Sequence, residues 1–325
     1  MPRVLPLKGW TLLTERLHPL IVDGATDVVH RIPEGLEMRL DLEDYIQRGI
    51  FYDTWEAVEL AFVRSVLRPG DVVFDIGANV GIFTLTAAHA VGPSGQVHAF
   101  EPVPANFERL IDSVSRNALG QVVLNQVAAG AASGETQLGL EPGMELTSGK
   151  AMSGFFTVGS TLRQVTVPVV SLDGYTAQHL QGRSIRLVKI DVEGYEPEVL
   201  RGMRDLLSAG RIDVVMIEVS VYALGRVGAT IGDLVDQLLH AHYRFYRIDL
   251  PGVMRRWTYR GEPTILQRRA GPQGFLEGVR KGFQDLERNF NLIAIRGDLP
   301  AVADNPRFRW SWRLRPLMSA GQPRR

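Results

Sequence analysis

Two carboxylates and a lysine near the middle of the chain could do acid–base chemistry. Lys189 lies within the apolar segment 184–190, Asp191 follows that segment directly, and Glu193 stands two residues further on. Such charged groups at one strand end are costly to desolvate unless they bind or react. They could take a proton from a hydroxyl or orient it. The structural alternative is that the acids cap a strand-to-helix turn, with Lys189 as their salt-bridge partner.

A second motif, Asp75-Ile-Gly-Ala-Asn-Val-Gly81, predicts a ligand-binding turn. It joins the apolar strand 72–76 to a helical segment, as at the first strand of nucleotide-binding α/β folds. The spacing of Gly77 and Gly81 differs from the G-x-G-x-x-G pattern of dinucleotide sites. Asp75 would repel a pyrophosphate and attract a cation, so S-adenosylmethionine (SAM), with its ammonium and sulfonium, fits better. Considered by itself, this motif could also be a strand–turn–helix that binds no ligand.

An acidic residue at the end of the next predicted strand supports a nucleoside site. Glu101 lies about 20 residues beyond Gly81, where folds of this kind read the two ribose hydroxyls. A carboxylate can accept hydrogen bonds from both hydroxyls. Pro102 ends the strand. A solvated strand end is the alternative for Glu101 by itself.

In order and spacing, four segments of the chain resemble the FkbM-type family of SAM-dependent methyltransferases. They are Asp75-Ile-Gly-Ala-Asn-Val-Gly81, Phe100-Glu-Pro102, Val170-Ser-Leu-Asp173 and Lys189-Ile-Asp-Val-Glu-Gly-Tyr-Glu196. The run 48–56 and the strand 214–218 also look like family features. The resemblance implies a class I methyltransferase fold and methyl transfer from SAM. The usual acceptor would be a hydroxyl on a sugar, glycan or secondary metabolite.

The predicted site residues divide into a cofactor group and a reaction group. The glycine turn and Asp75 would hold the methionine part of SAM, and Glu101 the ribose. Closure over the cofactor is expected of Tyr52 or Glu56, and adenine contacts of Asn125 and Ala128. The full cofactor set is Asp75, Gly77, Ala78, Asn79, Gly81, Glu101, Pro102, Tyr52, Glu56, Asn125 and Ala128.

The reaction group is Asp191, Glu193 and Lys189. Asp191 or Glu193 would take or orient the acceptor proton, and Lys189 could tune Asp191. The two carboxylates could instead bind Mg²⁺, which would lower the pKa of the acceptor hydroxyl. Apart from that possibility, no metal ligands are assigned.

The order of the predicted elements favours a doubly wound α/β fold with a mostly parallel, seven-stranded sheet. The resemblance implies that its last two strands, 243–248 and 291–295, form an antiparallel pair with an insert between them. The stretch 133–165, rich in Gly, Ser and Thr and with short strand-like pieces, is interpreted as an irregular insertion near the acceptor side. Pro168 predicts that the extended segment 165–170 is an edge strand or contains a bulge.

One catalytic domain with additions is expected from the length of 325 residues. The predicted divisions are an N-terminal extension over 1–50, the methyltransferase domain over 51–300, and a basic and aromatic tail over 301–325. The tail and the loop 254–269 could each bind the acceptor or form ordinary protein surface, and the sequence leaves both alternatives open.

Composition argues against several function classes. Lys and Arg number 36, equal to Asp and Glu, so a basic field for nucleic acid is not expected. The absence of cysteine excludes disulfides, thiolate metal sites and a thiol nucleophile. No apolar stretch approaches the ~18 residues of a membrane span, and the first residues lack a signal-peptide pattern. The cytoplasm is therefore the expected location, with a small-molecule or glycan acceptor as partner; a homo-oligomer is left open.

Three other functions compete with methyl transfer from SAM. An NAD(P)-dependent oxidoreductase or epimerase would use the same class of fold, but the glycine spacing and Asp75 argue against it. A nucleic-acid methyltransferase is disfavoured by the neutral net charge. A SAM-binding protein without activity would leave Asp191 and Glu193 dispensable.

Overall fold

Strands and helices alternate along most of the described chain. The structure is a computed structural model that describes residues 27–140, 153–154, 163–249, 253–256 and 289–297. Its helices are α1 (Tyr45–Phe51), α2 (Ala57–Val66), α3 (Ile82–Val91), α4 (Pro104–Arg116), α5 (Leu172–His179), α6 (Glu196–Arg201), α7 (Arg204–Ser208), α8 (Val221–Arg226) and α9 (Ile231–His240). No helix among these residues is long and apolar enough to cross a membrane. The predicted tail and most of the loop 254–269 lie outside the described residues.

The strands of the described residues form three sheets. They are β1 (Asp27–Arg31), β2 (Glu37–Asp41), β3 (Val72–Ile76), β4 (Gln96–Phe100), β5 (Val122–Asn125), β6 (Ala128–Ala129), β7 (Gly134–Leu140), β8 (Ser153–Gly154), β9 (Arg163–Val170), β10 (Ile185–Ile190), β11 (Ile212–Ser220), β12 (Tyr243–Asp249), β13 (Val253–Arg256) and β14 (Asn289–Arg296). The largest sheet has the order β13-β12-β14-β11-β10-β3-β4-β5.

The largest sheet confirms the predicted fold class. Strands β5, β4, β3, β10 and β11 run parallel, and β14 and β12 complete seven strands as an antiparallel pair. The sequence did not predict β13, which pairs antiparallel with β12 and adds an eighth strand at the edge.

The central strand β3 is buried along its whole length. Phe74 and Ile76 face one hydrophobic cluster, which includes residues of α6, α7 and α9, and Val73 faces another that includes residues of α2 and α3. Helices therefore cover both sides of this strand, which explains why four of its five residues are apolar. A strand buried on both faces holds its carboxyl end in a fixed position, and the glycine turn begins there.

A hairpin and a helix at the start of the described chain pack beside the glycine turn. Met38 and Leu40 of β2 and Ile50 of α1 share a buried cluster with Ala78 and Val80. The side chain of Asn117 accepts from the backbone N–H of Glu37 at 2.8 Å and donates to its carbonyl at 2.7 Å, which ties β2 to the end of α4.

The stretch interpreted as an irregular insertion contains regular strands. Strands β6, β9, β7 and β8 form a separate sheet in that order, with β7 and β9 antiparallel from Leu140↔Arg163 to Gly134↔Val169. Pro168 thus lies in an inner strand rather than an edge strand. The parallel pairs with β6 begin only at Val169, so at Pro168 itself β7 is the sole neighbour. Residues 141–152 and 155–162 of the stretch lie outside the described part.

Candidate active site

Three strand ends meet at one crevice. Strand β3 pairs in parallel with β4 and with β10, so that Ile76 is level with both Phe100 and Ile190. The residues that follow these ends are Gly77, Glu101 and Asp191. The carboxyl ends of parallel strands are where open α/β sheets bind ligands. The structure therefore brings together the three motifs that the sequence analysis selected.

Glu101 holds the glycine turn through backbone hydrogen bonds. Its Oε2 accepts from the N–H of Asn79 at 2.9 Å, and its Oε1 accepts from the N–H of Val103 at 2.9 Å. The residue is only 4% exposed. Burial raises the pKa of Glu101 to about 7, although these N–H donors favour the ionised form. Each carboxylate oxygen has a second lone pair, so accepting from ribose hydroxyls remains compatible with these bonds.

Lys189 connects the glycine turn to the reaction group. Its Nζ donates to the carbonyl of Gly77 at 2.9 Å and to Oδ2 of Asp191 at 3.0 Å, and it lies 3.8 Å from Oδ1 of Asp75. Burial alone would lower the pKa of Lys189, but the charges of Asp191 and Asp75 outweigh it and raise the pKa. Lys189 is therefore a fixed ammonium and does not act as a base.

The carboxylate of Asp75 lies 3.8 Å from the ammonium of Lys189. This carboxylate is fully buried, and the hydroxyl of Thr84 donates to its Oδ2. Its Oδ1 has no hydrogen-bond partner and faces the lysine. Burial raises the pKa of Asp75, against the opposing effect of Lys189. The charge of Asp75 therefore acts on the crevice through Lys189, and a direct contact between Asp75 and the cofactor remains a prediction.

Asp191, Glu193 and Glu218 bring carboxylate oxygens within 4.8 Å of one another. Burial disfavours the charge on Asp191, but the ammonium of Lys189 outweighs it and holds the pKa of Asp191 below its ordinary value. The neighbouring charge of Asp191 and then burial raise the pKa of Glu218 well above its ordinary value. The two shifts are opposite in direction, so a proton in this pair is held more readily by Glu218 than by Asp191.

Glu196 fixes the turn that carries the reaction carboxylates. Its Oε1 accepts from the backbone N–H groups of Gly194 at 3.0 Å and Val192 at 3.3 Å. The side chain is 2% exposed, and burial raises its pKa to about 7. The turn includes two left-handed residues, Glu193 at φ 52° and Gly194 at φ 103°. Glu196 thus caps this strand-to-helix turn, the role that the sequence analysis gave as the structural alternative for Asp191 and Glu193.

Glu56 interacts electrostatically with Lys189 and Asp191 of the reaction group. It precedes α2 with a left-handed backbone at φ 45°, an uncommon conformation for a residue with a side chain. Burial raises its pKa to about 8, partly offset by the charge of Lys189 and reinforced by that of Asp191. Tyr52, the other predicted closing residue, has its ring 5.1 Å from that of Phe51. The closing role of both residues remains a prediction.

The two residues expected near adenine have structural partners. The Nδ2 of Asn125 donates to the carbonyl of Ala99 at 3.1 Å, and its Oδ1 accepts from the hydroxyl of Tyr175 at 3.1 Å. Ala128 is buried in β6. Their contact with adenine remains untested.

Comparison with known proteins supports the resemblance found in the sequence. Residues 75–245 match the Methyltransferase FkbM domain. This chain belongs to the FkbM methyltransferase family.

Two curated relatives are similar to this FkbM-family chain over about half of its length. One is 31-O-demethyl-FK506 methyltransferase FkbM of Streptomyces tacrolimicus, 34% identical over 55% of this chain and 78% of the relative. The other is hexuronic acid methyltransferase AglP of Haloferax volcanii, 33% identical over 52% of this chain and 68% of the relative. A solved SAM-dependent methyltransferase from Agrobacterium tumefaciens aligns at a TM-score of 0.40 and 9% identity, over 83% of this chain and 69% of that one.

The FkbM-family match includes one site residue that the sequence analysis did not select. Glu218 ends the apolar run of β11, and its segment 214–218 was noted only as a family feature. An acidic residue near the end of a buried strand was the available signal, the same one that identified Glu101 and Asp191. Glu56 and Tyr52 lie before the matched residues.

Proposed function

We propose that this chain transfers the methyl group of SAM to a hydroxyl of a sugar, glycan or secondary-metabolite acceptor. The observation that carries the proposal is the position of Asp191 beside Lys189 and the glycine turn. This carboxylate is ionised, lies level with the glycine turn and Glu101, and is held by Lys189 at 3.0 Å. A carboxylate fixed beside the expected cofactor crevice can orient a hydroxyl towards the methyl group.

The charges of the crevice suit a cationic cofactor. Asp75, Asp191 and Glu56 all act electrostatically on the single ammonium of Lys189. When Asp75 and Asp191 are both ionised, their negative charge exceeds the charge of the one lysine, which favours a ligand that carries positive charge. Glu56, whose pKa is raised to about 8, holds its proton near neutral pH and adds little to this charge. When bound, SAM supplies an electrophilic methyl group on a sulfonium. The turn Gly77–Gly81 would hold its methionine part, and Glu101 its ribose.

The acceptor proton needs a destination during the reaction. As the acceptor oxygen forms its bond to the methyl carbon, the bond from that carbon to sulfur breaks, and S-adenosylhomocysteine leaves. The hydroxyl proton passes to Asp191. Because the pKa of Asp191 is low, it is a weak base. It therefore orients the hydroxyl first and accepts the proton as positive charge develops on the acceptor oxygen.

A divalent cation is compatible with the same carboxylates. We propose, as the alternative to proton transfer onto Asp191, that Asp191, Glu193 and Glu218 would hold Mg²⁺, since three hard oxygen donors lie within 4.8 Å of one another. The raised pKa of Glu218 supports this proposal, because the like charges of the pair require either a proton or a cation. A metal here would lower the pKa of the acceptor hydroxyl.

Calorimetric titration with SAM, S-adenosylhomocysteine and NAD⁺ tests the cofactor. We expect binding of the first two, weakened in Glu101→Ala, and no binding of NAD⁺. NAD⁺ binding without SAM binding would instead favour the oxidoreductase or epimerase.

Acceptor-dependent formation of S-adenosylhomocysteine, measured over a panel of sugars and glycosylated metabolites, tests the reaction. Asp191→Asn should lower turnover about a hundredfold with SAM affinity nearly unchanged. Asp112→Asn, on the exposed side of α4, is the matched control. If SAM binds and Asp191→Asn turns over like the wild type, Asp191 is not the base, and the same result for Glu193 would favour a SAM-binding protein without activity.

Chelation of divalent metal tests the Mg²⁺ proposal. We expect EDTA to reduce turnover, added Mg²⁺ to restore it, and Glu218→Gln to require more Mg²⁺. Turnover that is unaffected by EDTA would leave Asp191 and Glu218 as a proton-sharing pair without a metal.

We further propose the domain divisions 1–50, 51–300 and 301–325, a cytoplasmic location, and no nucleic-acid partner. The equal numbers of acidic and basic residues support the last of these. Limited proteolysis would test the domain bounds, and light scattering would report whether the chain forms a homo-oligomer.

A further inference from the structure

Polar side chains of the crevice continue onto strand β14. Glu218 of β11 lies directly opposite Asn291 of β14 in their antiparallel ladder. Opposite residues of such a pair project from the same face of the sheet, with their Cβ atoms about 5 Å apart. The side chain of Glu218 is in turn hydrogen-bonded to that of Asp191, and the two have carboxylate oxygens within 4.8 Å of each other. Asn291 therefore lies beside the reaction group.

Helix α2 covers this face of the sheet. Leu60 of α2 packs in one hydrophobic cluster with Met216 of β11 and Ile293 of β14. These two strand residues lie two positions from Glu218 and Asn291. Because side chains alternate between the two faces of a strand, all four project towards the helix. The start of α2 can therefore contact the side chain of Asn291.

Glu59, in the first turn of α2, holds the amide of Asn291. Its Oε1 accepts from Nδ2 of Asn291 at 3.1 Å, and its carboxylate also accepts from the backbone N–H groups of Val58 and of Glu59 itself. Because the carboxylate acts as an acceptor, the nitrogen of the amide must face it. Within the described part of the chain, the side chain of Asn291 has no other hydrogen-bond partner. Its Oδ1 and its second N–H are left for a ligand.

An amide held in this way can bind a hydroxyl group. A hydroxyl both donates and accepts, and the amide offers one acceptor and one donor to match. The spacing along the sheet places Asn291 within about 10 Å of the carboxylate of Asp191. A molecule that carries several hydroxyls can therefore contact Asp191 through one of them and Asn291 through another, whereas an acceptor with a single hydroxyl cannot.

We propose that Asn291 binds a second hydroxyl of the acceptor, and that Glu59 positions Asn291 for this contact. The acceptor is accordingly a polyol, and the hydroxyl at Asp191 is the one that is methylated. The proposal rests on the proposed methyl transfer and adds a residue that determines acceptor specificity. The contact lies away from the reacting atoms and is equally strong before and during the reaction, so its loss should raise KM and leave kcat unchanged.

Formation of S-adenosylhomocysteine from matched acceptors tests this contact. The methyl glycosides of glucose, galactose, mannose and rhamnose are compared with cyclohexanol, which carries one hydroxyl. We expect turnover of at least one glycoside, with kcat/KM at least about tenfold higher than for cyclohexanol. Asn291→Ala should raise the KM for that glycoside about tenfold, with kcat and the affinity for SAM unchanged.

Monodeoxy derivatives of the best glycoside identify the hydroxyl that Asn291 binds. For one derivative the KM should be about tenfold higher in the wild type, with no further rise in Asn291→Ala, because the same hydrogen bond is already lost.

Variants of Glu59 test its positioning role. Glu59→Gln keeps an oxygen that can accept from Asn291 and should retain the normal KM, whereas Glu59→Ala should raise it. Gln121→Ala is the matched control, because it removes an amide that donates to the carbonyl of Ala88 at 3.1 Å, at the opposite edge of the sheet. It should leave the KM unchanged.

Three results would overturn the proposal. They are equal KM values for the glycoside in Asn291→Ala and the wild type, additive effects of Asn291→Ala and every deoxy derivative, and a kcat/KM for cyclohexanol that equals or exceeds that of the glycosides. If Asn291→Ala fails to bind SAM, the comparison of Glu59→Ala with Glu59→Gln decides instead. Failure of the proposed function would be distinct, because the wild type would not bind SAM or would form no S-adenosylhomocysteine from any acceptor, and the inference would fall with it.

Discussion

A Cβ placed on Gly77 would lie 1.9 Å from the carbonyl oxygen of Asp191. The backbone of the glycine turn thus touches the backbone of the reaction residue, and the N–H of Asp191 donates to the carbonyl of Ile76 at 3.0 Å. Because the two segments share this contact, the position of Asp191 depends on the conformation of the cofactor turn. Gly77 also has a φ of 78°, which side chains disfavour.

The first prediction concerns this contact. Gly77→Ala should lower the free energy of unfolding by about 4 kcal/mol or more, because the methyl group overlaps the backbone of Asp191 and adds left-handed strain. Chemical denaturation measures the change. Gly35→Ala is the control: Gly35 has a φ of 83° with nothing within 4 Å of its Cβ position, so it should cost about 1 kcal/mol. Equal losses in the two variants would mean that strain alone, and not the contact, makes Gly77 necessary.

The sequence predicted the strand ends of the site because each has a local signal. An apolar run followed by Asp, Glu or Gly marks the end of a buried strand; β3 spans the predicted residues 72–76, and β4 ends directly before Glu101, as predicted. Neighbouring parallel strands then bring their ends together without further information. This reasoning located Glu101 and Asp191, and it would have located Glu218 had the same rule been applied to β11.

Contacts between segments that are distant in the sequence have no such local signal in the amino-acid sequence. The three oxygen atoms around Lys189, two hydrogen-bond acceptors and Oδ1 of Asp75 at 3.8 Å, come from two separate strand ends, and the parallel pairing of β3 with β10 brings them together. Asp173 belongs to a family-like segment, yet it accepts from the N–H groups of Asp205 and Leu206 and so caps α7. For β7 the sequence indicated only a short strand-like piece within an irregular stretch, because the run contains Gly134 and Gly139 and glycine weakens the strand pattern.

The second prediction concerns the buried charges of Lys189 and Asp75. Lys189→Met should lower the free energy of unfolding by about 3 kcal/mol, because it leaves Asp75 and Asp191 without their cation. In Lys189→Met/Asp75→Asn the loss should be smaller than the sum of the single losses, by about 2 kcal/mol, since one uncompensated charge is gone. Urea denaturation of the four proteins completes the cycle. Additive losses would mean that the 3.8 Å approach of the two side chains carries no coupling.

The third prediction assigns a positioning role to Glu196. Glu196→Ala removes the acceptor of two backbone N–H groups in the turn of Glu193 and should cost about 2 kcal/mol of stability. It should also lower kcat while leaving the affinity for SAM unchanged, because the turn carries the reaction carboxylates and not the cofactor site. Glu196→Gln keeps a carbonyl oxygen in place of Oε1 and should recover both stability and kcat. Loss of kcat in the glutamine variant at normal stability would indicate that the charge of Glu196 is needed.

The last prediction follows from the pKa of Glu101. In the free protein this pKa is raised to about 7, chiefly by burial, so below pH 7 the folded chain holds Glu101 protonated. Ribose hydroxyls donate to the carboxylate, so SAM must bind the ionised form. The affinity for SAM should therefore fall as pH falls, approaching about tenfold per pH unit well below 7, and level off above 8.

In Glu101→Gln the affinity for SAM should be lower at pH 8, and its dependence on pH should be weaker than in the wild type. The pKa values of Glu196 and Glu56 are also raised, to about 7 and about 8, so the difference between the two proteins is the quantity to compare. Identical pH profiles from calorimetry would remove Glu101 from the ribose site and leave it with the glycine turn alone.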